Sequence, residues 1–214
     1  MDIERSLGTF WELRVQGWFV DQEVFLSIWN HFYGSFHFGV TIFALVWLYR
    51  RFPHRYGRQR TAFLSTTGLA LVGFGLFPLM PPRLLSDCGQ YGACRPGTYP
   101  FVDTLSDIGG LWSFDSGTMQ EVTNQFAAMP SLHFAWAIWC VVALGPVLRR
   151  RWTRGLIAAY PVATLFAVVV TANHYWLDAA AGVFLLAAGY LITDQVVARL
   201  RPVSYTHLTL PTNR

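Results

Sequence analysis

The chain has 214 residues, 53% of them hydrophobic and only 13% charged, with 17 Phe and 9 Trp. A water-soluble domain carries about a quarter of its residues as Asp, Glu, Lys and Arg, so this composition excludes an ordinary soluble globule and points to a lipid solvent. The formal charge is +4 and every basic residue is arginine; the arginines flank apolar runs, which reads as membrane orientation and not as a nucleic-acid surface.

In chain order, the opening "MDIERSLGTFWELR" is mixed in charge and has no small-residue cleavage site behind an apolar core, so no cleavable signal peptide is expected. From Phe10 to Phe32 the chain is aromatic but interrupted by Glu12, Arg14, Asp21 and Glu23. That pattern suits an interfacial or half-inserted helix better than a sixth span. A spanning helix needs about 20 mostly apolar residues. Gly34–Tyr49 reaches that length if its helix begins near Val24, while Thr61–Met80, Leu132–Leu148, Gly155–Ala172 and Leu177–Val197 qualify as they stand. The expectation is an all-α, multi-pass membrane helical bundle with five to six transmembrane helices, one domain over residues 1–203. Residues 204–214, "SYTHLTLPTNR", are polar and Thr-rich and read as a disordered or non-native tail.

Loop charges set the orientation. "RRFPHRYGRQR" holds five arginines and "RRRWTR" four, and Arg199 and Arg201 follow the last span. These places alternate as full crossings require, so they are expected in the cytoplasm, with Pro81–Pro130 and Asn173–Trp176 outside. On that oxidising side Cys88 and Cys94 of "CGQYGAC" can form a disulfide or stay two free thiols. No second Cys or His pair stands near them for zinc, and Cys140, in mid-helix, reads as a small apolar group.

Three ionisable residues, His133, His174 and Asp178, fall at one membrane face, where such groups are costly unless paired or functional. In "PSLH", Pro130 suits a helix start. Ser131 can cap that helix, and the amides behind it form an anion-binding end within reach of His133. In "NHYWLD", His174 and Asp178 are four apart. On one helical face the carboxylate can hold one ring nitrogen and leave the other as nucleophile or base. Singly these features describe an interfacial ring or an intrahelical hydrogen bond; together they describe a site. Asn30, Gly34, His37 and Thr41 share a helical face, which serves close packing or lets His37 line an acceptor pocket. Asn173 could bind hydroxyls, whereas Asn124 reads as a loop hydrogen bonder. Trp112, Phe114 and Asp115 could form a lid or an interfacial anchor. Asp194 reads as interfacial, and His31 and His54 carry no signal.

"MPSLHFAWA" followed by "HYWLDAAAG" resembles the paired signature of the type 2 phosphatidic acid phosphatase superfamily. More narrowly it resembles the inositol phosphorylceramide synthase (inositolphosphotransferase) branch, whose motifs read PSLH and HYxxDxxxG; sphingomyelin synthases are a more distant match. With "FPLMPPRLL" the likeness runs from Phe77 to Gly182. It implies that His174 attacks the phosphorus of a lipid phosphate ester to give a phosphohistidine, with Asp178 orienting it. His133 would protonate the departing alcohol and then act as base on the acceptor. Arg83 would clamp phosphate oxygens, with Ser131 and Asn173 as further candidate substrate-binding residues. No metal or other cofactor is implied.

Three departures lead away from the phosphatases of that superfamily. Their lysine before the arginine has no counterpart, their Ser-Arg arginine falls on Val168, and their PSGH has Leu132. The expected protein is therefore a multi-pass enzyme of the cell (cytoplasmic) membrane with its site facing outside. It would move a phosphoryl-containing headgroup from a membrane lipid phosphate to water or to an inositol-like or other alcohol acceptor. A polyprenyl- or glycerolipid-phosphate phosphatase is the nearest alternative. Other classes are a zinc hydrolase ligated by His133, His174 and Asp178, and a non-enzymatic transporter or scaffold. The expected partners are the bilayer and its lipids, not nucleic acid.

Overall fold

A computed structural model describes residues 2–89, 92–109 and 126–200. The readings of Trp112, Phe114, Asp115, Asn124 and the tail 204–214 lie outside these residues. The described elements are α1 (Asp2–Ser6), α2 (Glu12–Gly17), α3 (Glu23–Arg51), α4 (Pro53–Leu76), a 3-10 turn (Pro82–Leu84), α5 (Thr104–Asp107), α6 (Leu132–Leu144), α7 (Arg151–Val170) and α8 (Trp176–Leu200). The fold is an all-helical bundle, with one isolated bridge between Leu79 and Ala127 among the described residues.

Among the described residues three helices, α3, α7 and α8, are long and apolar enough to cross a membrane. At 1.5 Å per residue, the 29 residues of α3 extend well beyond a hydrocarbon core of about 30 Å. The 13 residues of α6 fall short of it, so Leu132–Leu148 is not one continuous span. The 24-residue α4 begins at Pro53, whose fixed φ and missing N–H suit the first helical position. It therefore starts within the arginine-rich segment and not at Thr61. The segment from Phe10 to Phe32 is not a single interfacial helix: α2 ends at Gly17, and Glu23 onward belongs to α3.

Helix α4 lies along α8, and α6 packs among α3, α7 and α8. The buried core is built of Ala44, Leu48, Ala137, Trp139, Cys140, Ala143, Leu144, Tyr160 and Leu186. Small residues let the backbones approach: a Cβ on Gly189 of α8 would stand 2.3 Å from Thr66 Oγ1 of α4. Outward faces carry Phe36, Ile42, Phe43, Leu71, Leu156, Val162, Phe184 and Leu191, all exposed. Apolar surface on so many helices is what a lipid environment demands. At the arginine-rich end, Arg58 donates to both carboxylate oxygens of Asp194, at 2.7 and 2.8 Å.

The opposite end is built from loops and the short N-terminal helices. Cys88 and Cys94 are disulfide-bonded. Leu85, Tyr99, Phe101 and Ala172 form a second buried cluster, joined by Phe10, Leu13 and Met80. Helix α2 ties this end together through two buried side chains. The Trp176 N–H donates to Glu12 Oε1 at 3.0 Å, so Glu12 caps the start of α8. Gln16 exchanges two hydrogen bonds with the backbone of Val102, at 2.9 and 3.0 Å. Glu4 of α1 is also buried. Burial first, then the neighbouring Glu12 carboxylate, pushes its pKa up from 4.5 to about 7.

Two outcomes follow from this framework. Because folded Glu4 holds its proton more tightly than the unfolded chain does, its contribution to stability is greatest below pH 4.5 and falls as the pH rises towards about 7. Protease sensitivity of the N-terminal segment is expected to rise across that window and to lose this dependence in Glu4→Gln. Second, a Cβ on Gly182 would stand 2.4 Å from the Ser131 carbonyl oxygen. Gly182→Ala is expected to cost about 1–3 kcal/mol by overpacking. Gly39→Ala, with nothing within 4 Å, should leave the melting temperature in detergent within error of the parent.

Candidate active site

Four chain segments converge at the loop end: the turn after α4, the approach to α6, the α7–α8 connection and the first half of α3. Each is fixed by backbone bonds before its side chains are considered. The Leu79 N–H donates to Phe126 O at 2.8 Å and the Ala128 N–H to Leu79 O at 3.2 Å. The Arg83 N–H donates to Ala172 O at 2.9 Å, and the Ser131 N–H to Asp178 O at 2.9 Å. Ala172 holds φ 53, a left-handed conformation that a residue with a Cβ adopts sparingly. It turns the chain from α7 towards His174.

Ser131 caps α6 as its sequence position suggests: it is buried, and its Oγ accepts from the Phe134 N–H at 3.5 Å. His133 therefore lies in the first turn of α6. Its ring centroid is 5.5 Å from that of His174. His174 is buried in the loop just before α8. Its Nδ1 donates to the Ala128 carbonyl at 2.7 Å, and the nearest carboxylate oxygen, Asp178 Oδ2, stands 3.5 Å from the same nitrogen. Asp178 is buried too, and its Oδ2 accepts the Tyr175 N–H at 2.9 Å. Ala128 is thus the closer partner of the ring, and the carboxylate adds negative charge beside it. With the proton on Nδ1, the lone pair of the ring is at Nε2.

Arg83 is buried in the 3-10 turn, and its Nη1 meets Asp103 Oδ2 at 2.5 Å. Asp103 also caps α5 by accepting from Leu105 and Ser106. This ion pair lies within electrostatic range of Tyr33, whose ring stacks on His133 at 4.3 Å between centroids. Arg83 has Asp103 as its ion-pair partner, and Tyr33 is the ring of this group that meets His133. Asn173, by contrast, gives its amide nitrogen to Thr171 Oγ1 at 2.8 Å within its own loop. Among the described residues, no group of three or more His, Cys, Asp and Glu side chains is arranged to hold a metal ion.

In the stripe on α3, Asn30, His37 and Thr41 are buried and Gly34 is half-buried. Asn30 donates to the carbonyls of Thr104 and Gly109, and Thr41 contacts Cys140 Sγ at 3.9 Å. His37 stands 4.1 Å from His133 between ring centroids. Tyr33, Ala128 and Asp103 carry no role in the sequence reading, where Glu12 figures only as a charge that interrupts an aromatic run. Tyr33 lies one turn before His37 on the same face and could have been found by that spacing. Asp103 opens "DTLSD", a capping pattern. Ala128 acts through its carbonyl and leaves no signal in residue type.

Comparison with the curated proteins and with the solved structures gives no match. A family model described as the PAP2 superfamily matches residues 1–192, taking in Arg83, both histidines and Asp178. The helical membrane bundle and the proximity of His133, His174 and Asp178 at one end agree with that match, and the chain belongs to the PAP2 superfamily of phosphatases and phosphotransferases.

Proposed function

We propose that this chain transfers a phosphoryl-containing group from a membrane lipid ester, with His174 as nucleophile and His133 as acid and base. The observation that carries the reading is the pair of rings 5.5 Å apart, with His174 anchored through Nδ1 to Ala128 and its Nε2 left as the nucleophilic nitrogen. Nε2 attacks phosphorus, the bond from phosphorus to the leaving oxygen breaks, and protonated His133 gives that oxygen its proton. Neutral His133 then takes the proton of an incoming hydroxyl as that oxygen displaces His174. The Asp178 carboxylate offsets the positive charge on the phosphorylated ring.

Arg83 and the amides at the start of α6, behind the Ser131 cap, supply positive charge to the phosphoryl oxygens, and no metal is required by the scheme. Asn173 enters this scheme as a loop-fixing residue through Thr171, with binding of an acceptor hydroxyl as a second role. Arginines at the α3–α4 and α6–α7 connections favour the cytoplasm, which directs the site to the extracytoplasmic face of the cell membrane. The disulfide at the site end supports that orientation. Leu132 and Val168 in place of the phosphatase-type residues favour transfer to an alcohol, an inositol-like acceptor among them, over hydrolysis. Hydrolysis needs only a water in the acceptor position and is the second reading.

The test uses the purified protein with dioctanoyl phosphatidate and dioctanoyl phosphatidylinositol as donors, with and without an added alcohol acceptor. From phosphatidate, hydrolysis is expected to give free phosphate and transfer the phosphorylated acceptor; from phosphatidylinositol, hydrolysis is expected to give a phosphomonoester and transfer a new phosphodiester of the acceptor. His174→Ala should lower turnover of the accepted donor at least about a thousandfold. His133→Ala should lower it about 10²–10⁴-fold. Parental turnover in a folded His174→Ala protein contradicts the scheme. Orthovanadate should inhibit the parent as a five-coordinate mimic of the transferring phosphoryl group.

A further inference from the structure

Helix α3 carries two aromatic rings that the scheme above does not use, and both touch His133. Tyr33 lies nearly parallel to it, with centroids 4.3 Å apart and planes at 22°. His37, one turn further on, approaches to 4.1 Å at 54°. His37 is itself locked: its Nδ1 donates to Tyr33 O at 3.0 Å, and its ring lies 3.8 Å from Phe38 and 5.8 Å from Trp136. Trp136 is held in turn by donating Nε1–H to Thr67 Oγ1 at 3.2 Å. A chain of fixed groups from α4 through α6 to α3 therefore ends on the His133 ring.

A general acid in the first turn of a helix can swing about χ1 and χ2, and proton transfer fails when it is misplaced by about an ångström. Among the described residues no side-chain hydrogen bond fixes that swing, while the faces of the His133 ring are in contact with Tyr33 and His37. The stacked phenol also presents its electron-rich face to the imidazolium form, an attraction of cation–π type.

We infer that Tyr33 and His37 are positioning residues that hold His133 in line with the leaving-group oxygen. This rests on the reading of His133 as the proton donor. A misaligned donor matters where the leaving group needs a proton and little where it does not, so the consequence is selective. An alkoxide leaving group depends on the alignment; a 4-nitrophenolate, already a stable anion, does not.

The experiment compares whichever dioctanoyl lipid the parent turns over with 4-nitrophenyl octyl phosphate. Tyr33→Leu and His37→Leu are expected to lower kcat on the lipid by about 10- to 100-fold. Their KM should stay within about twofold and their turnover of the nitrophenyl ester near that of the parent, while Tyr33→Phe should keep parental rates on both. Equal losses on the two substrates, or no loss on either, overturn the inference. Where a leucine variant does not accumulate, Tyr33→Phe and the polar, similarly sized His37→Gln carry the same comparison: parental rates for the first and loss on the lipid alone for the second are expected, and equal loss overturns it. His133→Ala separates the two readings. If it too lowers both substrates equally, His133 is not the proton donor and the scheme itself fails; if it is selective and the α3 variants are not, only the role of α3 is lost.

Discussion

The hydrogen bond from Ser131 N–H to Asp178 O, 2.9 Å long, joins the start of α6 to the start of α8, and the site depends on it. Two helix starts come this close because Gly182, one turn beyond Asp178 in α8, leaves the space that a Cβ would fill against the Ser131 carbonyl. The glycine of "HYWLDAAAG" is thereby explained by steric need. Once the two starts are joined, His133 in the first turn of α6 and His174 just ahead of α8 have little freedom to separate. Burial of Ser131, His174 and Asp178 adds cost to any rearrangement that leaves their polar atoms unpaired.

Around that junction the loops act as a frame. Leu79 fixes the Ala128 peptide, Ala128 fixes the His174 ring, and Ala172 fixes the Arg83 backbone. Helix α2, six residues long, reaches both the start of α8 through Glu12 and the Asp103 loop through Gln16. The neutral Ala128 carbonyl holds the His174 ring more closely than the Asp178 carboxylate does. The carbonyl sets the tautomer without adding charge, and the Asp178 carboxylate, 3.5 Å away, responds when the ring becomes positive. Arg83 is one half of an ion pair, so in the proposed scheme Asp103 shares in setting the positive charge offered to a phosphoryl group.

The sequence made the bundle legible because apolar length and arginine-rich connections are composition signals that survive without coordinates. It gave helix boundaries less well. Pro53 starts α4 earlier than hydropathy suggests, since a helix continues through arginines that face polar surroundings, and α6 stops at Leu144, short of the apolar run's end. Glu12 seemed to interrupt an interfacial helix; its carboxylate instead caps α8, from 164 residues away. The histidines and Asp178 were readable as residues at one depth. Ala128 was not, because a backbone carbonyl has no residue-type signature, and Tyr33 was overlooked beside the more conspicuous His37.

The central claim is that the nitrogen of His174 turned away from Ala128 takes the phosphoryl group. The most direct measurement is to quench the enzyme in alkali during turnover, isolate the peptide by mass spectrometry and assign the substituted nitrogen by phosphorus–proton correlation NMR. The account predicts an adduct on His174 at Nε2. An adduct at Nδ1, on His133, or on no histidine under conditions of steady turnover would contradict it.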